Sequence, residues 1–161
     1  MAKPLDTDDV WAKIRKHPIA MLTTQDGDRL VSRPMAAYAR PDEGRIYFLT
    51  RIETQKTEEI GRKAAVNLAF ADQDDNTYIS VTGDATTSQD RAKLNELWTR
   101  EAEAWLPEGP DAPTTGLITV DPDDAVIWNS TDNSIVYGAK LIAALVTQSP
   151  PDPGQVSKVS L

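Results

Sequence analysis

The strand-forming stretches of this chain follow one another as a meander, and that order constrains the fold more than any other feature. Residues 19–24 and 30–38 flank the hairpin signal Asp26-Gly27, and a second turn at 41–44 leads into the aromatic and branched run 45–50. Residues 65–71 and 78–86 flank the polar turn 72–76, and 117–120 and 126–128 flank the aspartates at 121–124. Helical signals are few and short. Val10, Trp11 and Ile14 share a face behind the capping candidates Thr7 and Asp8; Thr54 stands as N-cap to 55–63; Leu94, Leu97 and Trp98 mark a helix over 88–104; and 135–146 reads as a closing helix. Six or seven consecutive strands with short helical joins predict a mainly β, α+β fold: an antiparallel barrel with short flanking helices, not a parallel sheet. A length of 161 residues fits one domain, expected over 1–147. Pro150, Pro151, Pro153 and Gly154 then predict an irregular or disordered Pro-rich tail over 148–161.

Composition removes several function classes. Twenty-five acidic residues against 17 basic ones give a net charge of −8, which disfavours a protein built to coat nucleic acid or anionic membrane. Cysteine is absent, so disulfides, thiolate metal sites and a cysteine nucleophile are excluded. A single histidine, His17, argues against a multi-histidine metal centre, and its place before Pro18 reads as a helix end. The aspartates at 72–75 and 121–124 read as solvated turns, without the glycine and terminal glutamate of a calcium loop. The first nine residues are polar and acidic, and no apolar run approaches the roughly 20 residues of a membrane span, so a cytoplasmic protein is expected.

The informative stretch is a pair of strands with the helix after them. Pro34 sits inside a strand-like run, and proline cannot donate to a ladder, so that strand lies at an edge, bulges, or faces something other than a strand. Arg33 is beside it. Thr54 and Lys56 open a helix directly behind Thr50, and a helix start with free amides, a hydroxyl and an ammonium suits a phosphate. If the strands are neighbours, the Arg33 fork serves the same anion. The alternative is an ordinary capped helix with two solvated cations.

The segments Met21-Leu22-Thr23-Thr24, Ser32-Arg33-Pro34-Met35, Phe48-Leu49-Thr50 and Thr54-Gln55-Lys56 occur in that order. Ser80-Val81-Thr82-Gly83-Asp84-Ala85, Leu97-Trp98, the run from Trp105 to Pro110 and Ala125-Val126-Ile127-Trp128 follow. Each is weak alone, but the ordered set, spanning about residues 10–145, resembles the general stress protein branch of the pyridoxamine-phosphate-oxidase-like, FMN-binding split-barrel family. The resemblance implies a homodimer that binds FMN, with FAD as the alternative flavin. Arg33, Lys56 and Thr54 would hold the phosphate, with Gln55 beside them; Pro34 and Met35 would run along the ring; Leu49 and Thr50 would line the ribityl side. Trp128 would lie near the flavin, and Trp105, placed on a loop, would reach the cofactor of the partner subunit.

Two departures from the family bear on function. Gln55 stands where related oxidases often carry arginine, and Thr54 where serine is common, so the phosphate field loses one charge and a moderate FMN affinity is expected. Residues 129–135 lack the arginine and histidine with which true pyridoxamine-phosphate oxidases grip the vitamin phosphate. The reading is therefore a flavin-dependent oxidoreductase of unidentified substrate, electron donor and acceptor, with no side chain nominated as acid, base or nucleophile. Two other readings stay open at this point: a non-catalytic flavin carrier or sensor, and an NAD(P)H- or deazaflavin-dependent reductase.

Overall fold

The computed structural model describes residues 5–129 and 155–161. It opens with helix α1 (Thr7–Lys16), capped one residue earlier than the sequence predicts. The Asp6 carboxylate accepts the Asp9 amide at 3.0 Å, and the Asp9 carboxylate accepts the Asp6 amide at 3.2 Å. Strand β1 (Ile19–Asp26) turns at Gly27 into β2 (Arg29–Ala36), in register from Ile19↔Ala36 to Asp26↔Arg29. Strands β3 (Tyr38–Arg40) and β4 (Arg45–Arg51) form a second hairpin, followed by helix α2 (Gln55–Arg62). Strands β5 (Ala65–Asp72) and β6 (Thr77–Ser88) make the third hairpin. Helices α3 (Arg91–Leu97) and α4 (Arg100–Trp105) lead to β7 (Thr115–Asn129), and β8 (Gln155–Ser160) closes the described chain.

Every pairing is antiparallel, in one eight-stranded sheet ordered β2-β1-β5-β6-β7-β4-β3, with β8 added to β7. The two ends of that order are one length of chain, since only Ala37 separates β2 from β3. The sheet thus returns on itself as a barrel. At the crossing β2 stays with β1 while β3 stays with β4, and no ladder joins β2 to β4. This is the split. The Ala37 amide is satisfied instead by the Pro18 carbonyl at 2.9 Å.

Burial follows the strand period where one face is covered and departs from it where both are. In β5 the buried residues are Val66, Leu68 and Phe70; in β6 they are Thr77, Ile79, Val81, Gly83 and Ala85. In β4, Ile46, Tyr47 and Phe48 are buried in succession, because Leu94 and Leu97 of α3 pack on the face opposite the barrel core. Lys93 pins that helix, pairing with Glu43 and Glu96 at 2.8 Å each and lying 5.3 Å from the centre of the Tyr47 ring. Val10, Trp11 and Ile14 of α1 and Ile60 of α2 join the barrel core.

Four expectations are corrected. The described residues hold eight strands, not six or seven. The strands predicted at 117–120 and 126–128 are one strand, because β6 runs opposite the whole of 117–129 and absorbs the aspartates in a bulge. The register slips from Thr82↔Asp124 to Gly83↔Pro122, leaving Asp123 as the extra residue, and its carbonyl accepts the Leu161 amide at 3.1 Å. The tail predicted to be irregular supplies β8 at 155–160, held along β7 from Asn129↔Gln155 to Asp124↔Ser160. The helix predicted over 88–104 is two helices, since the Thr99 hydroxyl caps a new one by accepting the Ala102 amide at 3.1 Å. The helix predicted over 135–146 lies outside the described residues.

Gly83 is required by the bulge. A Cβ there would stand 2.4 Å from the Asp121 carbonyl oxygen and 2.8 Å from the Pro122 Cα, both backbone atoms that cannot swing aside. Gly83→Ala is expected to destabilise the protein by about 1–3 kcal/mol. Gly61→Ala, in α2 with nothing within 4 Å of the new methyl, is expected to be neutral or stabilising by about 0.5 kcal/mol. Urea unfolding midpoints of the two variants check the opposite signs.

Candidate functional site

Between β2 and β4 the split opens into a cavity of about 520 Å³, within the usual range for a small-molecule site. Its walls come from elements that the split holds apart. Arg33, Pro34 and Met35 of β2 form one side, Leu49 and Thr50 of β4 the other, and Thr54 and Lys56 at the start of α2 close one end. Ala102 and Trp105 of α4 stand at the mouth. Pro34 fits its place: β2 ends the sheet order, so the missing amide breaks no second ladder.

The polar end is built from behind as well as from within. Glu59, one turn after Lys56 on α2, is 1% exposed and pairs with the Arg33 guanidinium through Oε2 to Nη2 at 3.0 Å. The Thr24 hydroxyl of β1 donates to the same Glu59 oxygen and accepts from Arg33 Nη1. Burial pushes the Glu59 carboxyl up, but hydrogen bonds from Thr24 and Arg33 and the guanidinium charge outweigh it and hold the group below its usual 4.5. Glu59 Oε1 is buried with no hydrogen-bond partner. Lys56 is lowered too, but here the shift disfavours the charged form: burial and the Arg33 charge pull its ammonium below the usual 10.5, with Glu59 opposing. Among the described residues Lys56 has no hydrogen-bond partner, so its donors are unspent.

The wall near the mouth is fastened by side chains that satisfy the carbonyls of a Pro- and Gly-rich loop. Arg91 Nη1 donates to the Pro110 and Thr115 carbonyls at 2.9 and 3.1 Å, and Gln89 Nε2 to that of Pro113 at 2.7 Å. Arg51 of β4 pairs with Glu108 just beyond α4. Leu106 is buried, yet Trp105 beside it is 82% exposed, an indole held at the rim with little packing of its own.

Of the residues singled out from the sequence, Arg33, Pro34, Met35, Leu49, Thr50, Thr54, Lys56 and Trp105 are brought together around this one cavity. Trp105 sits at the end of α4 and lines the cavity of its own chain, where a loop reaching outward was expected. Gln55 does not line the cavity; its amide reaches Asp26 at 3.4 Å. Trp128 lies on the outer face of β7, 40% exposed, away from this cavity in the single chain. Sequence reasoning missed Glu59 and Thr24. Their signal was the three-residue step from Lys56 to Glu59, which places both on one helix face, and a threonine facing the core in a strand. Among the described residues no group of three or more acidic or histidine side chains could hold a metal, and no helix is long and apolar enough to cross a membrane.

Fold and cleft together define a split β-barrel with a cleft at its seam. The chain belongs to the pyridoxamine 5'-phosphate oxidase-like family, whose model, described as "pyridoxamine 5'-phosphate oxidase like", matches residues 6–152. A general stress protein 26 candidate from Jannaschia sp. CCS1 is similar in structure, with a TM-score of 0.71 at 23% identity over 96% of this chain and 98% of that one. The general stress FMN/FAD binding protein of Xanthomonas citri is similar with a TM-score of 0.69 at 26% identity, over 79% and 89% of the two chains. Protein bli-3 of Neurospora crassa is 26% identical over 98% of this chain and 81% of its own length.

The Glu59 pair has a signed pH dependence. A carboxyl with a folded pKa below its unfolded value adds stability above the unfolded pKa and loses it as pH falls through the folded one. Glu59→Gln is therefore expected to cost about 1–3 kcal/mol at pH 7, with the gap to wild type closing as pH drops below 4.5. Urea unfolding at pH 7 and at pH 3.5 measures both values.

Proposed function

We propose that this chain is a cytoplasmic FMN-binding protein, FAD being the alternative flavin, that works as a homodimeric flavin-dependent oxidoreductase on a substrate other than pyridoxamine phosphate. The observation that carries the reading is the cavity's polarity: a cationic end of Arg33 and Lys56 beside the first turn of α2, and an apolar body of Met35, Leu49 and Pro34 with Trp105 at the rim. A phosphate monoester on a flat heteroaromatic body matches that division. The Xanthomonas citri relative, described as FMN/FAD binding, supports it.

In this reading Arg33, Lys56 and Thr54 hold the phosphate, Thr50 and Leu49 flank the chain that joins it to the ring, and Pro34 and Met35 lie along the ring. When bound, the flavin supplies the electron transfer; the protein positions it and sets the field around it. Gln55, tied toward Asp26, contributes no charge to the phosphate. Pyridoxamine phosphate is set aside as substrate because residues 129–135 offer no basic side chain.

A second copy is supported by the outer face of the barrel. Tyr78, Trp128 and Val156 are in register across β6, β7 and β8 and are 43%, 40% and 53% exposed, an apolar row left partly open among the described residues. A second chain seated on that face gives Trp128 a role at a flavin that its own cavity does not provide. The expected mass by light scattering is twice 17.7 kDa, and a monomer that binds FMN tightly would end the shared-site reading.

Titration of the apoprotein with FMN, followed by flavin fluorescence, is expected to saturate. Lys56→Ala is expected to weaken FMN by about 1.5–3 kcal/mol, the size of a charge-assisted hydrogen bond, and to leave riboflavin nearly unchanged. Equal losses for the two ligands would remove Lys56 from the phosphate.

A further inference from the structure

We propose that Glu59, together with Thr24, is a positioning residue for the phosphate end of the cavity: it holds the Arg33 guanidinium from behind, so that the fork is set before any ligand arrives. The inference rests on the flavin-phosphate reading above and adds to it a residue that touches no ligand. Arg33 lines the cavity and Glu59 does not. A guanidinium has five N–H donors in a fixed plane. Glu59 Oε2 takes one from Nη2 at 3.0 Å and Thr24 Oγ1 takes one from Nη1, which leaves three N–H groups not used by these anchors. Two anchors on two different nitrogens fix the plane and not merely the position. The anchors come from α2 and β1, and Arg33 itself from β2, so three elements together define one orientation.

Glu59 is buried, and the desolvation cost of its carboxylate is offset by the bonds from Arg33 and Thr24, so its place at the site depends on holding those two groups. Its charge also offsets one of the two cations, so the cluster of Arg33, Lys56 and Glu59 carries a net single positive charge before ligand binds. Orientation rather than raw charge is then what the site offers a phosphate. If charge alone mattered, removing Glu59 would strengthen anion binding. If orientation matters, removing it weakens binding despite the more positive field.

The opposite signs make the test decisive. FMN and riboflavin affinities are measured by fluorescence titration for wild type, Glu59→Gln, Arg33→Met and the double variant, with the 31P resonance of bound FMN recorded for each. Glu59→Gln is expected to weaken FMN by about tenfold, to change riboflavin by less than about twofold, and to move the bound 31P signal toward that of free FMN. In the Arg33→Met background Glu59→Gln is expected to add almost nothing, because its effect passes through the guanidinium. Tighter FMN binding, equal loss for both ligands, or full additivity would overturn the proposal. Should Glu59→Gln fail to fold, Thr24→Val removes the second anchor without touching a charge, and it is expected to weaken FMN several-fold while sparing riboflavin; equal effects on the two would overturn the proposal as well. Wild-type protein that binds neither flavin would end the flavin reading itself, and wild type with no preference for FMN over riboflavin would remove the phosphate from Arg33, both distinct from a failure at Glu59.

Discussion

One stretch of chain, residues 29–40, must serve as both margins of the sheet. Its first part pairs with β1 and its last part with β4, and the single residue Ala37 lies between them. A strand cannot keep full ladders with two partners that diverge, so the barrel closes through covalent continuity and not through hydrogen bonds along the whole seam. The cavity is the result. Everything that positions the site follows from where that seam lies: Arg33, Pro34 and Met35 are the residues of β2 that approach it, and Leu49 and Thr50 are the residues of β4 opposite. The long β6–β7 pair, running from Thr77↔Asn129 to Ser88↔Leu117, carries the opposite side of the barrel and lets this seam stay open without loss of the fold.

The seam would be a liability if it merely exposed backbone. Unpaired strand edges recruit other strands, and chains usually blunt them with proline, charge or a cover. Here Pro34 removes a donor, Arg33 places a charge, and α2 and α4 stand over the two ends. The charge is itself restrained. Arg33 is anchored by Glu59 and Thr24, whereas Lys56 is held near it with no hydrogen-bond partner among the described residues and with its ammonium destabilised by burial and by the like charge. Two neighbouring cations, one fixed and one poised, gain from an anion more than either would alone, since the anion relieves the repulsion between them as well as pairing with each.

Much of this was legible in the sequence, and the failures have physical causes. The three tight hairpins were visible because turn residues and branched runs alternate at short range. Arg33, Thr54 and Lys56 were visible as a candidate phosphate site from local features, though spacing alone favoured an ordinary capped helix; the ordered motifs turned that reading and added the other cavity residues. What local pattern could not show was anything decided by a distant partner. The aspartates at 121–124 look like a loop in isolation and stay in a strand because β6 continues opposite them. The prolines before 155 look like the start of a disordered tail, yet 155–160 lies along β7 because β4 covers only the first part of that strand's edge, from 115 to 120, and the remainder is free. Nothing local marks Glu59 as a partner of Arg33, and only the fold brings the two together across 26 positions of sequence.

The chemistry of the cavity wall follows from the same arrangement. The cavity joins a hydrophobic body to one charged end, and its titratable lining groups are Arg33, Tyr38, Arg51, Lys56 and Glu101, with no histidine or cysteine among them. Such a wall can orient a ligand, exclude water from its flat face and stabilise a fixed negative charge. A site of this kind is suited to a ligand that brings its own reactivity. The outer row of Tyr78, Trp128 and Val156 is a second exposed apolar surface, on the face of the barrel away from the cavity. Both surfaces trace to one constraint, a sheet too small to enclose all the apolar side chains that its strands present.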